Sequence, residues 1–272
     1  MKFQREITAA VLIPAVLAVL VFAPTWAFSL LVAAAACVAL LEFYALLNAA
    51  GWFVPRDAGI LLFASLLAAA HFAAPAALLA LAGATLILLP TLVLFASPAT
   101  ALLLPSSAGA VFATLYVALG GASIIGLRSQ GWQPVVFLFA VVWAGDSAAY
   151  YVGRRWGKRK LAPVVSPKKT WEGLWGQLAG GAAFGAAASA LFPVVPSGAV
   201  PAVAAGAVLG LLVSVTAVLG DLVESTFKRS VAVKDSGGLL PGHGGLLDRL
   251  DSLLYASPVL LLALVLIPRA TR

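Results

Sequence analysis

The sequence predicts an all-α, polytopic membrane bundle of about nine transmembrane helices. Three observations carry that expectation. The chain is 62% hydrophobic and only 10% charged, with a mean hydropathy of +1.06, where a soluble domain carries about 25% charged residues. Its apolar runs approach the ~20 residues that span a bilayer as a helix. Those runs are continuous rather than alternating, which excludes a membrane barrel.

The apolar segments follow in order. The first, 7–23, comes after MKFQRE and has the look of a signal peptide, but is expected to stay as a span. The second, 27–48, holds the single Cys37, read as a small buried hydrophobe, and the ionisable Glu42, which is costly there and should pair with a polar neighbour. The third, 58–73, is short and ends near His71, read as an interfacial histidine. The fourth, 76–97, contains Pro90, and the fifth is 107–127. The sixth, 132–152, carries Asp146 near its end. The seventh and eighth are 173–195 and 200–224. The ninth, 247–268, opens on acids and contains Pro258. The expected organisation is one membrane domain, 1–272, with spans of unassigned role in 1–130 and a catalytic half in 131–272. A single cysteine excludes an intrachain disulfide and a cysteine-rich zinc site. The absence of an internal repeat gives an inverted-repeat transporter no support.

The net charge of +7 reflects topology rather than nucleic-acid binding. With the N-terminus inside, nine spans place every basic residue on the inner side except Arg128, Arg269 and Arg272. The expected location is a bacterial-type inner membrane, with the polar segments facing the cytoplasm. Most of the charge lies in two stretches, 154–172 and 221–251.

In LGDLVESTFKRS (219–230), the eighth span continues without a helix breaker. Asp221, Glu224, Ser225 and Lys228 share one helical face by spacing. A carboxylate at that depth needs a partner or a metal; a salt-bridged helix end is the plainer alternative. KDSGGLLPGHGG (234–245) has five glycines and Pro241, which exclude a regular helix. Such glycines allow backbone N–H groups to approach an anion; an ordinary loop is the alternative. Asp248 and Asp251 then open the last span on one face. They either complement a helix N-terminus or bind a hard cation such as magnesium, which takes carboxylates together with substrate phosphates. Acidic faces flanked by Lys and Arg suit a metal-bridged polyphosphate.

These residues resemble the signature of the phosphatidate cytidylyltransferase (CDP-diacylglycerol synthase) family. The signature runs from Ser225-Thr-Phe-Lys228-Arg229 through Lys234-Asp235 to Leu240-Pro241-Gly-His243-Gly244-Gly245-Leu-Leu-Asp248-Arg249-Leu-Asp251. A second block is similar in Gly145-Asp146, Gly157-Lys158 and Ser166-Pro167-Lys168-Lys169-Thr170-Trp171-Glu172-Gly173. The resemblance covers about 143–268, and one departure is Trp175-Gly176-Gln177, where smaller residues are expected.

The resemblance implies a membrane nucleotidyltransferase of phospholipid biosynthesis. It would convert CTP and phosphatidic acid to CDP-diacylglycerol and pyrophosphate. It implies magnesium, leaves room for a second cation, and leaves a homodimer open. The expected catalytic residues are Asp221, Asp248, Lys228, Arg229 and Asp251. Asp221 and Asp248 would hold magnesium, with Glu224 and Asp251 as ligands or supports of ligands. Lys228, Arg229, Lys234 and Arg249 would hold phosphates, and Ser166, Lys168, Lys169 and Thr170 would form a second anion-binding segment. Ser225, Asp235, His243, Gly244 and Gly245 complete the substrate-binding set; His243 would donate to a phosphate, or its glycines would shape the loop. Asp146 would orient a lysine or a metal-bound water, or make a helix-packing contact. A CTP-dependent lipid kinase is the alternative enzyme and an ion-coupled transporter the non-enzymatic one. The D-x-x-D-G-x-x-A-R core of CDP-alcohol phosphotransferases is missing.

Overall fold

The computed structural model describes residues 2–96, 99–192, 194, 201–233, 236–237 and 244–267. Among them lie nine helices: α1 (Lys2–Phe22), α2 (Thr25–Ala49), α3 (Arg56–His71), α4 (Pro75–Ala96), α5 (Thr100–Ser129), α6 (Gln133–Trp156), α7 (Trp171–Leu191), α8 (Ala202–Ser230) and α9 (Leu247–Leu266). Each answers to one of the nine apolar segments. Six of them, α2, α4, α5, α6, α8 and α9, are long and apolar enough to cross a membrane. The chain is a multi-pass membrane protein.

The polar stretch before α7 is more ordered than its composition predicts. It forms an antiparallel hairpin, β1 (Lys160–Ala162) with β2 (Ser166–Thr170), paired Lys160 to Thr170 and Ala162 to Ser166. Too short to register as a periodic pattern, it is held at its open end by other bonds. Trp171 N–H donates to the Arg159 carbonyl at 2.9 Å, and the Thr170 hydroxyl caps α7 by accepting from Gly173 N–H at 3.1 Å.

Residues group into two compact units. One contains 1–129 and 227–250. Its central helix is α5, which packs against α2, α3 and α4. Phe43, Phe112, Tyr116 and Phe227 form an aromatic cluster with centroids 5.1–6.1 Å apart, and the buried Tyr44 and Thr114 hydroxyls share a 2.5 Å hydrogen bond. α8 ends in this unit. Ala232 adopts the left-handed φ of 58° that usually favours glycine, while Val233 N–H donates to the Lys228 carbonyl at 2.9 Å. This is a Schellman closure, and it sets Lys228 in the last turn.

The other unit contains 130–226 and 251–272. There α6 and α7 pack most extensively. A Cβ on Gly176 would meet the Val152 side chain at 2.8 Å and the Ala148 carbonyl at 3.0 Å. On α7 and α8, Cβ atoms at Gly185 and Gly210 would collide with the Gly206 and Gly181 carbonyls. Small residues four apart let these helix backbones touch, the common solution for helices packed in lipid.

Candidate active site

In the second unit, three carboxylates converge. Asp221 and Glu224 sit one turn apart on α8, and Asp251 is in the first turns of α9. Their oxygens lie within 4.8 Å of one another. Glu224 is 2% exposed and Asp251 7%. The approach depends on Gly220, where a Cβ would meet Tyr255 Cβ at 2.5 Å and the Asp251 carbonyl at 2.9 Å. Three acids so close repel one another, and burial penalises their charges further. One cation and one hydroxyl at Asp221 offset part of that cost. Lys169 Nζ on β2 lies 2.5 Å from Asp221 Oδ2, and Ser225 Oγ is 3.3 Å from Asp221 Oδ1. The all-oxygen donor set fits a hard divalent cation such as magnesium.

Beside these acids lies a cavity of about 420 Å³, lined in part by Asp146, Tyr150, Arg154, Lys168, Lys169, Thr170, Gln177 and Asp221. The hairpin brings both lysines to it: Lys169 reaches Asp221, and Lys168 is exposed. Thr170 is buried and serves the hairpin as the cap of α7. Ser166 begins β2 opposite Ala162. Asp146 Oδ1 accepts from Gln177 Nε2 at 3.0 Å, so the Trp175-Gly176-Gln177 departure supplies a site contact as well as helix packing.

Glu172 clamps the hairpin's base. Its exposed carboxylate accepts from the backbone N–H groups of Lys158, at 3.0 Å, and Arg159, at 3.3 Å. Its own backbone N–H, then that of Lys158, hold its pKa below the ordinary value, with the Arg159 N–H and charge adding to the effect.

The first unit holds the other conspicuous acid, Asp248. Its Oδ1 lies 2.5 Å from Lys228 Nζ. Its Oδ2 accepts from Ser236 N–H at 3.0 Å and Gly245 N–H at 2.9 Å. Within the second unit Asp221, Glu224 and Asp251 form a candidate cation site; within the first, Asp248 holds Lys228 and two backbone N–H groups. Gly244 has a φ of 78°, which suits glycine. Arg229 Nη1 donates to the Val233 carbonyl at 3.0 Å, and Arg249 is exposed. Lys234, Asp235 and His243 lie outside the described residues.

One residue joins this network without having been assigned to it from sequence. Glu42, from α2, accepts from Leu246 N–H at 3.0 Å, Leu247 N–H at 2.8 Å and Ser236 Oγ at 3.1 Å. The available signal was a lone ionisable residue in an apolar span. Its partners, mostly backbone N–H groups, could not be read from side-chain types.

The chain resembles proteins named phosphatidate cytidylyltransferase. It is 44% identical to that of Brucella suis over 155 residues, which are 57% of this chain and 55% of the relative. It is 42% identical to that of Staphylococcus saprophyticus over 153 residues, 55% and 56% of the two chains. With that of Bacillus subtilis it shares 41% over 157 residues, 57% and 56% of the two. The chain thus spans about half the length of the curated relatives it matches. A sequence model of the cytidylyltransferase family matches over residues 3–267, nearly the full length, and the chain belongs to that family.

Proposed function

We propose that the protein makes CDP-diacylglycerol and pyrophosphate from CTP and phosphatidic acid, as a membrane nucleotidyltransferase of phospholipid biosynthesis. The observation that carries this reading is the acid trio beside a cavity edged by Lys168 and Lys169. Family membership and the relatives' names support the substrates. A lipid phosphate is already an anionic nucleophile, so the reaction needs no strong base. Its oxygen bonds to the α-phosphorus of CTP, the α–β phosphoanhydride bond breaks, and pyrophosphate leaves with that electron pair. The difficulty is bringing two anions together, so positioning and charge neutralisation are the catalytic requirements.

Asp221, Glu224 and Asp251 would hold magnesium, which would neutralise polyphosphate charge when bound. Lys168 and Lys169 would hold substrate phosphate. Lys228 and Arg229, in the last turn of α8, are the further phosphate ligands of the proposal, with Asp248 orienting Lys228. The distribution of basic residues supports a bacterial-type inner membrane with the site facing the cytoplasm.

The test uses the purified full chain in lipid nanodiscs with CTP, phosphatidic acid and magnesium. CDP-lipid and pyrophosphate should appear in equal amounts. Release of CDP with a phosphorylated lipid would make the protein a kinase, and folded protein yielding neither product would overturn the reading.

A further inference from the structure

Glu42 is the only charged residue of α2, a helix long and apolar enough to cross a membrane. An ionisable group there is costly to retain. It stands seven residues before the helix end, about 10 Å along the axis. Its carboxylate is committed to two short pieces of chain, Ser236–Gly237 and Gly245–Leu247. It takes the N–H of Leu246, the residue just before α9, the first N–H of α9 from Leu247, and the Ser236 hydroxyl. Those N–H groups have no partner within α9, and the positive helix end favours a carboxylate. The fit is close: a Cβ on Gly245 would collide with Ser236 Oγ, and one on Gly237 would strike the Glu42 carboxylate.

Asp248 binds the same two pieces from its own position, accepting from Ser236 N–H and Gly245 N–H while its other oxygen faces Lys228. Two carboxylates therefore fasten the same two strands of chain. One comes from α9 and reaches Lys228; the other comes from α2. Removing Glu42 would leave Asp248 as the remaining carboxylate tie among the described residues and loosen the start of α9, and with it the position of Asp248 and the Lys228 ammonium.

We propose that Glu42 is a positioning residue of the nucleotidyl-transfer reaction, acting through a clasp with Asp248 that fixes where the Lys228 ammonium stands. The proposal rests on the functional reading above. Charge-assisted bonds from a carboxylate to backbone N–H groups are roughly twice as strong as neutral ones. A carboxamide of the same shape would present an NH₂ to a donor and lose at least one of the three bonds.

The test compares wild type with Glu42→Gln in nanodiscs by steady-state kinetics, thermal unfolding and amide hydrogen exchange. The expected result is a kcat lowered about 10-fold or more with KM for CTP changed less than about 3-fold. Exchange should be faster at Leu246 and Leu247, with α5 protection and the unfolding temperature kept. Ser236→Ala, which removes one bond without touching α2, should give a smaller loss in kcat with the same KM. Unchanged kcat and unchanged exchange in a folded Glu42→Gln protein would overturn the proposal. So would a loss of activity that only tracks protection lost throughout α2 and α5. If Glu42→Gln does not fold, wild-type kinetics and exchange in Ser236→Ala overturn it. Wild-type turnover is read separately: if wild type makes no CDP-lipid, the functional reading fails, while the exchange data still report on the clasp.

Discussion

Asp221, Glu224, Asp248 and Asp251 are alike in type and near in sequence, yet their immediate surroundings differ. Asp248 is satisfied by an ammonium and two backbone N–H groups. Asp221, which also pairs with Lys169, lies with Glu224 and Asp251 in a cluster whose oxygens are within 4.8 Å of one another, and the last two are nearly buried. A neutral carboxamide keeps the volume of Glu224 but weakens its grip on a cation. Glu224→Gln should lower magnesium affinity by at least about 10-fold, since losing even a group that only supports a metal ligand costs about 10–100-fold. Titrating magnesium against the thermal unfolding of substrate-free protein measures this directly. An unchanged titration would remove Glu224 from the cation site.

Among elements, the hairpin is the part whose order composition hides. Its strands have three and five residues, and they owe their position to the Thr170 cap and the Glu172 clamp. Glu172 has a folded pKa below its ordinary value, first through its own backbone N–H and then through that of Lys158. Its contribution is therefore complete above the ordinary carboxylate value and lost as pH falls through the depressed folded value. Amide exchange at Lys158 and Arg159 should be slower in wild type than in Glu172→Gln at neutral pH. The difference should close at acidic pH, below the ordinary carboxylate range. A difference that persists there would mean that the clamp is not ionic. The α7–α8 contact follows a different logic, in which Gly181, Gly185, Gly206 and Gly210 supply close approach and no charge.

For the whole molecule, the basic residues carry a prediction about sidedness. With Cys37 replaced by serine, a cysteine introduced at Lys158 should resist an impermeant maleimide in intact spheroplasts and react after permeabilisation. A cysteine at Ser129 should behave in the opposite way. The reverse pattern would invert the topology and place the lysine-edged cavity on the side without CTP.

The sequence by itself determined the class, the nine helical segments and the polar stretches that matter, because bilayer thickness sets span length and lipid excludes unpaired charge. It also gathered Asp221, Glu224, Lys228, Asp248 and Asp251 as the acids and base of interest, since i, i+3 and i+7 spacing within a helix is local information. Only the tertiary structure shows which acids converge within one unit. Asp251 joins Asp221 and Glu224 through the close approach of α8 and α9 at Gly220, a contact between two helices that local spacing does not encode. Glu42 meets residues about two hundred positions away through their backbone N–H groups, which every residue but proline carries. A sequence can therefore mark Glu42 as unusual, but it takes the fold to say what its carboxylate holds.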